Sequence, residues 1–115
     1  MTLTRIAFTA LALTFATAAL AAPTGSPAAG KAKAKTCAAC HGADGNTPID
    51  GTYPFLAGQH PDYLSKALHE YKNGKRKNAI MAGQASALSE QDIADLAAYF
   101  GSLPGTVHDL SGHQR

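Results

Sequence analysis

The chain has 115 residues, 45% of them hydrophobic, with a formal net charge of +2; that is room for one globular domain, and it excludes general disorder. Only 7% of the residues are aromatic, none is tryptophan, and 11 glycines with 6 prolines leave a modest core and much loop. A domain this small and this poor in large side chains needs a staple such as a metal or a cofactor.

The first segment reads as an export leader. Arg5 supplies a positive start, Ile6 to Leu20 is apolar and uncharged, and Ala19-Leu20-Ala21 has the small-x-small form that signal peptidase cuts. Cleavage is expected after Ala21, which leaves residues 22–115 as the mature chain. An uncleaved anchor fits less well, because the run from Ile6 to Ala22 spans only ~25 Å as a helix, short of a hydrocarbon core of ~30 Å. Losing Arg5 brings the formal charge closer to neutral, so bulk charge names no partner. Export and the lack of aromatics between the basic residues exclude nucleic acid.

Ser26 before Pro27 is a helix-start signal, and it predicts a short alanine-rich helix running towards Cys37. Lys31, Lys33 and Lys35 form one basic run there, and Lys72, Lys75, Arg76 and Lys77 form another. Residues 42–59, rich in Gly, Pro, Asp, Asn and Thr, read as an irregular loop. Pro61 opens a second helix, with Leu64, Ala67, Leu68 and Tyr71 on one face and Gly74 as the stop. Residues 75–88 are expected to be a second loop, around Met81.

Ser89 with Asp92 forms a capping-box signal, aspartate standing where glutamate is usual. It opens a third helix whose stripe is Ile93, Leu96, Ala97, Phe100 and Leu103, and Pro104-Gly105 ends it. Residues 106–115 are expected to be a flexible tail. Nothing alternates as a strand does. The expected fold is all-α, three main helices with two long loops, and loops of that length in so small a domain need something to wrap.

Cys37-Ala38-Ala39-Cys40-His41 is C-x-x-C-H, the attachment signal of c-type haem. The two thiols reach the two vinyl groups on one edge of the porphyrin, and the next histidine swings beneath the ring to bind iron. A redox dithiol needs a βαβ context that is missing. A structural zinc site needs four ligands, which His60, His69, His108 or His113 would have to complete without matched spacing. A plain disulfide leaves His41 unexplained. The motif therefore predicts one covalent haem c per chain, with Cys37 and Cys40 as thioethers and His41 on the iron.

Iron needs a sixth ligand or an open position. With the leader gone, Met81 is the one methionine left, placed between the second and third helices. Lone methionines commonly fill cores, but a loop is a poor place for a core filler and a good one for a ligand. His69 falls inside a helix, and His108 and His113 fall in the tail. His60, at a helix start, is the rival to Met81.

CAACHGADG, YPFLAGQHPDYL, GKRKN and LSEQDIADLAAYF together resemble the class I c-type cytochromes over residues 25–104. The likeness is greatest to small bacterial single-haem members of the c-553 type and to one half of a dihaem c-four type. It implies the class I cytochrome c fold over residues 22–105, wrapped around the haem. It implies His41 as the proximal ligand and Met81 as the distal one. Pro54 takes the place of the proline whose carbonyl accepts the proximal histidine N–H, and Leu56 that of a residue packed on the haem. Gly30 and the Tyr99-Phe100 pair stand where the first and last helices cross. Arg76 and Asn78 stand where a propionate is contacted or the methionine segment is steadied. With both axial positions filled, the implied function is a periplasmic one-electron carrier, not an enzyme.

Such a carrier is expected to be a monomer, not inserted in the membrane after cleavage, docking briefly with redox proteins as donors and acceptors. The Lys31–Lys35 run, just ahead of the attachment motif, is the expected electrostatic contact. Two rivals remain: an electron-transfer subunit of a larger oxidoreductase, and a haem enzyme or sensor with a labile sixth ligand.

Overall fold

Ser26 caps the first helix as its sequence requires, its side chain accepting the Ala29 N–H, with Pro27 in the first turn. The computed structural model describes residues 21–105 and residue 107; the leader reading for residues 1–20 and the tail reading for residues 106 and 108–115 lie outside the described residues. Among the described residues five helices follow in order: α1 Pro27–Lys33, α2 Lys35–His41, α3 Pro61–Lys72, α4 Ala79–Ser86 and α5 Glu90–Ser102. Among the described residues there is no strand.

The single N-terminal helix of the sequence reading is two short ones, meeting at Ala34, which is the C-cap of α1 and the N-cap of α2. Hydrogen bonds run on through the junction, from Ala34 N–H to Gly30 O and from Ala38 N–H to Ala34 O. The break is thus confined to Ala34, at φ −71° and ψ −6°, within continuous bonding. Gly42, at φ 88°, then ends α2 immediately after His41, a backbone state that glycine enters without steric cost.

α1 and α5 make the most extensive helix contact, and α3 packs on both α4 and α5. The α1–α5 crossing is as close as the sequence implied. A Cβ on Gly30 would lie 2.0 Å from the Asp95 carbonyl oxygen and 2.6 Å from the Tyr99 Cβ. α5 carries the capping box, Ser89 and Asp92 each bonding the other's backbone N–H. Its inner face supplies Ile93, Leu96, Ala97 and Phe100 to the core, which Leu64 of α3 joins.

One expectation fails here. Residues 75–88 are not all loop, because α4 occupies Ala79–Ser86 and Met81 lies in its first turn. Asn78 makes this helix possible: its side chain caps α4 by accepting the Met81 N–H at 3.0 Å, which satisfies one of the N–H groups a helix start leaves orphaned.

The loop of residues 42–59 is built on small polar bonds. Asp44 Oδ1 accepts from the Asn46 and Thr47 N–H groups and the Thr47 hydroxyl. The Gly45 carbonyl accepts from Leu56 and Ala57, and Gly58 N–H donates to the Phe100 carbonyl of α5. These bonds carry the chain back past the end of α2 and set Pro54 beside it.

Candidate functional site

α2, α3, α4, α5 and the 42–59 loop enclose a cavity of ≈ 400 Å³. Cys37, Cys40 and His41 line it from α2, Tyr53, Pro54 and Leu56 from the loop, and Met81 from α4. Leu64, Leu68, Leu96 and Phe100 supply apolar lining from α3 and α5. α2 and α4 do not pack extensively on one another, so His41 and Met81 reach the cavity from separate elements.

His41 is 6% exposed, and one of its ring nitrogens lies 2.9 Å from the Pro54 carbonyl oxygen, the contact the resemblance implied. A carbonyl only accepts, so Nδ1 carries the proton and donates. Nε2, which has no protein partner among the described residues, is left with a free lone pair, as an axial ligand requires. Cys37 and Cys40 are half-buried free thiols with no disulfide between them. Burial pushes the Cys37 thiol above its ordinary range, so it stays neutral against the apolar wall. A thioether at that position removes the ionisable group altogether.

Met81 is half-buried and lines the same cavity. The rival ligand His60 does not: it is exposed at the start of α3. His69 has both ring nitrogens engaged, Nε2 with Glu90 at 2.6 Å and Nδ1 with the Ser65 carbonyl at 2.7 Å. Asn78 steadies the methionine segment through the α4 cap. Arg76 lines the cavity, donates to the Tyr63 hydroxyl at 3.2 Å and lies 5.1 Å over the Tyr71 ring.

The cavity suits a flat apolar group tethered at one edge. Ile80, Phe55 and Tyr63 line it and are 57%, 49% and 44% exposed. Among the described residues these three large apolar side chains on one cavity are left largely uncovered. The two thiols at one wall, the free imidazole nitrogen beside them and the thioether from α4 fit haem c in donor type.

One basic residue has partners that the sequence did not show. The Lys33 ammonium lies 2.7 Å from Asp92 and 2.6 Å from Asp95 and ties α1 to α5. Lys31, Lys33 and Lys35 are all exposed. Sequence reasoning also passed over Tyr53, Phe55, Tyr63 and Ile80 in the cavity wall. The first two flank Pro54, and that adjacency was the one available signal.

With that geometry, the chain belongs to the cytochrome c family: the family described as Cytochrome c matches residues 27–104. Its single C-x-x-C-H accounts for one covalently attached haem c. The chain is 52% identical over 97 residues to a cytochrome c4 of Pseudomonas aeruginosa, covering 84% of this chain and 48% of that protein. It is 47% identical over 83 residues to cytochrome c-554(548) of Halomonas halodenitrificans, covering 68% of this chain and 96% of that one. The crystal structure of reduced cytochrome c4 from Pseudomonas stutzeri superposes with a TM-score of 0.68 at 42% identity, over 73% of this chain and 48% of the other. The chain thus spans about half the length of the cytochrome c4 relatives it matches.

Proposed function

We propose that the protein is a periplasmic one-electron carrier with its haem iron held between His41 and Met81. One observation carries the reading: a buried histidine anchored through Nδ1, with Nε2 free, shares an apolar cavity with the methionine of a separately capped helix. Cys37 and Cys40 hold the group by thioether bonds, and Leu56 packs against its face. When bound, haem c supplies an iron that alternates between ferric and ferrous states.

The chain's own residues set the terms of that exchange. The Pro54 carbonyl accepts the His41 Nδ1–H, which fixes the tautomer and makes Nε2 a stronger electron-pair donor. A methionine sulfur favours the ferrous state and raises the potential. Leu64, Leu68, Leu96 and Phe100 keep water off, and a low-dielectric wall disfavours the extra positive charge of the ferric form. With His41 and Met81 both holding the iron, no position would be left for a substrate, and electrons would pass through contact with partner proteins.

Release must be fast, so contacts with redox partners are small and brief, below ~1,200 Å². Lys31 and Lys35 offer exposed charge beside the attachment motif for such contacts. No helix among the described residues is long and apolar enough to cross a membrane.

Met81→Ala tests the reading. The variant is expected to keep its haem, because the thioethers are untouched, to bind carbon monoxide where the parent barely does, and to lose the weak red charge-transfer band of the ferric spectrum. Its potential falls. A variant that keeps the parent band and stays closed to carbon monoxide rejects Met81 as the ligand.

A further inference from the structure

Pro54 holds His41 through one hydrogen bond at one ring nitrogen. Carbonyl acceptors tolerate a broad range of approach, so that bond fixes the tautomer and leaves the plane of the imidazole loosely set. The residue next to Pro54 supplies a second restraint. The Tyr53 ring stands 6.0 Å from that of His41, centroid to centroid, at an interplanar angle of 85°, the edge-to-face arrangement that aromatic pairs favour.

Tyr53 is itself held at several points. Its backbone N–H donates to the Asp50 carbonyl at 3.4 Å, and the Asp50 carboxylate is fixed by the Thr52 N–H at 2.8 Å and hydroxyl at 2.6 Å. The side chain is half-buried and lines the cavity. One dipeptide, Tyr53-Pro54, therefore meets the histidine of the C-x-x-C-H twice, through the Pro54 carbonyl and the Tyr53 ring.

We infer that Tyr53 is a positioning residue whose ring sets the plane of the His41 imidazole within the cavity. The inference rests on the reading of His41 as the axial ligand. The plane matters because overlap of the imidazole π system with the iron d orbitals changes as the ring rotates. That overlap governs the magnetic anisotropy of the ferric state and the distribution of unpaired spin around the macrocycle. Groups that orient a ligand tune a metal in this way without touching it.

The test compares Tyr53→Phe and Tyr53→Leu with the parent as oxidised holoprotein, by EPR g-values and hyperfine-shifted haem-methyl resonances. Phenylalanine keeps the ring and drops the hydroxyl, so the parent g-values and methyl order are expected to persist. Leucine drops the ring, and the methyl spread and g anisotropy are expected to change while the red charge-transfer band and far-UV dichroism stay. A Tyr53→Leu protein with the parent pattern overturns the inference, as does a Tyr53→Phe protein shifted as far as the leucine variant. Should Tyr53→Leu fail to fold, nuclear Overhauser contacts between the Tyr53 and His41 rings in the reduced parent decide the matter: their presence supports the inference and their absence overturns it. Axial-imidazole resonances that assign to another histidine defeat the ligand reading, and the inference with it. A parent pattern in Tyr53→Leu, with His41 assigned to the iron, defeats the inference alone.

Discussion

Asp95 is 3% exposed and serves three partners. Its Oδ1 accepts the Ser26 N–H at 2.8 Å and the Gln91 amide at 2.9 Å, and its Oδ2 takes the Lys33 ammonium at 2.6 Å. The Lys33 bond first, then those from Ser26 and Gln91, hold this carboxyl down to about 2, against ~3.9 in an unfolded chain. A native state with the lower value binds fewer protons there, so the contribution is complete above the unfolded value and is lost as pH falls towards the folded one. Urea midpoints are expected to drop between about pH 4 and pH 2. Asp95→Asn should be less stable near neutrality and should lose less across that window; a parent-like slope in the variant rejects the assignment. Lys33 shows where a residue-by-residue reading runs out. Three lysines in five positions look like a solvated run, and their sequence does not show that the middle one meets two aspartates of α5. That Cys37, Cys40 and His41 share one cavity was legible because the thioether and axial chemistry proposed for them dictates their spacing, and Pro54 because the resemblance reached it. Tyr53 carries no such signature, since a tyrosine in a loop declares nothing about the ring it will face.

Two helix contacts carry consequences of their own. The Gly30 crossing leaves no room for a methyl group, the nearest obstacle being backbone of α5. Gly30→Ala must part α1 from α5, and overpacking of this kind costs ~1–3 kcal/mol; a thermal melt of the holoprotein should show the loss, and a parent-like midpoint would mean that the crossing yields. Asn78 caps α4. Removing a capping side chain costs ~1 kcal/mol, and here it also frees the turn that bears Met81. Asn78→Ala is therefore expected to weaken the red charge-transfer band and admit carbon monoxide partly, midway between parent and Met81→Ala; a parent spectrum would show that packing alone holds the helix. The same element explains what the sequence concealed. α3 and α5 were legible because Pro61 and the Ser89–Asp92 box mark their starts and one apolar face follows each. Ala79–Ser86 reads AIMAGQAS, with alanine scattered around the helix, a glycine inside it and no single apolar face. Its stability comes from the Asn78 cap and from packing on α3, which periodicity does not report.

At the scale of the molecule, the protein provides little to fold around. Among the described residues the buried apolar set is Leu64, Ile93, Leu96 and Phe100 with four alanines. A fully buried large side chain gains ~1.5–3 kcal/mol, whereas ordering backbone costs ~1–2 kcal/mol for each residue. The loop of residues 42–59 contributes Ala57 alone to that buried apolar set, so it brings the cost with little of the gain. Ile80, Phe55 and Tyr63 stay substantially exposed along the cavity, and Leu56 and Leu68 pack at the core's edge rather than within it. Filling the cavity buries all of these at once, and a covalent tether keeps the filling from dissociating. The holoprotein should therefore melt cooperatively, and a chain carrying both Cys37→Ala and Cys40→Ala should lose most of its helical signal. The α1–α5 crossing is joined away from the cavity lining, through Gly30 and the Lys33 pairs. It joins a seven-residue helix to a thirteen-residue one, and isolated helices shorter than ~12–15 residues are marginal in water. Residual helix in the double variant should accordingly be small and should melt without a clear midpoint. Far-UV dichroism against temperature decides it: a sharp transition at the parent's amplitude in the cysteine-free chain would mean that the polypeptide holds this fold unaided.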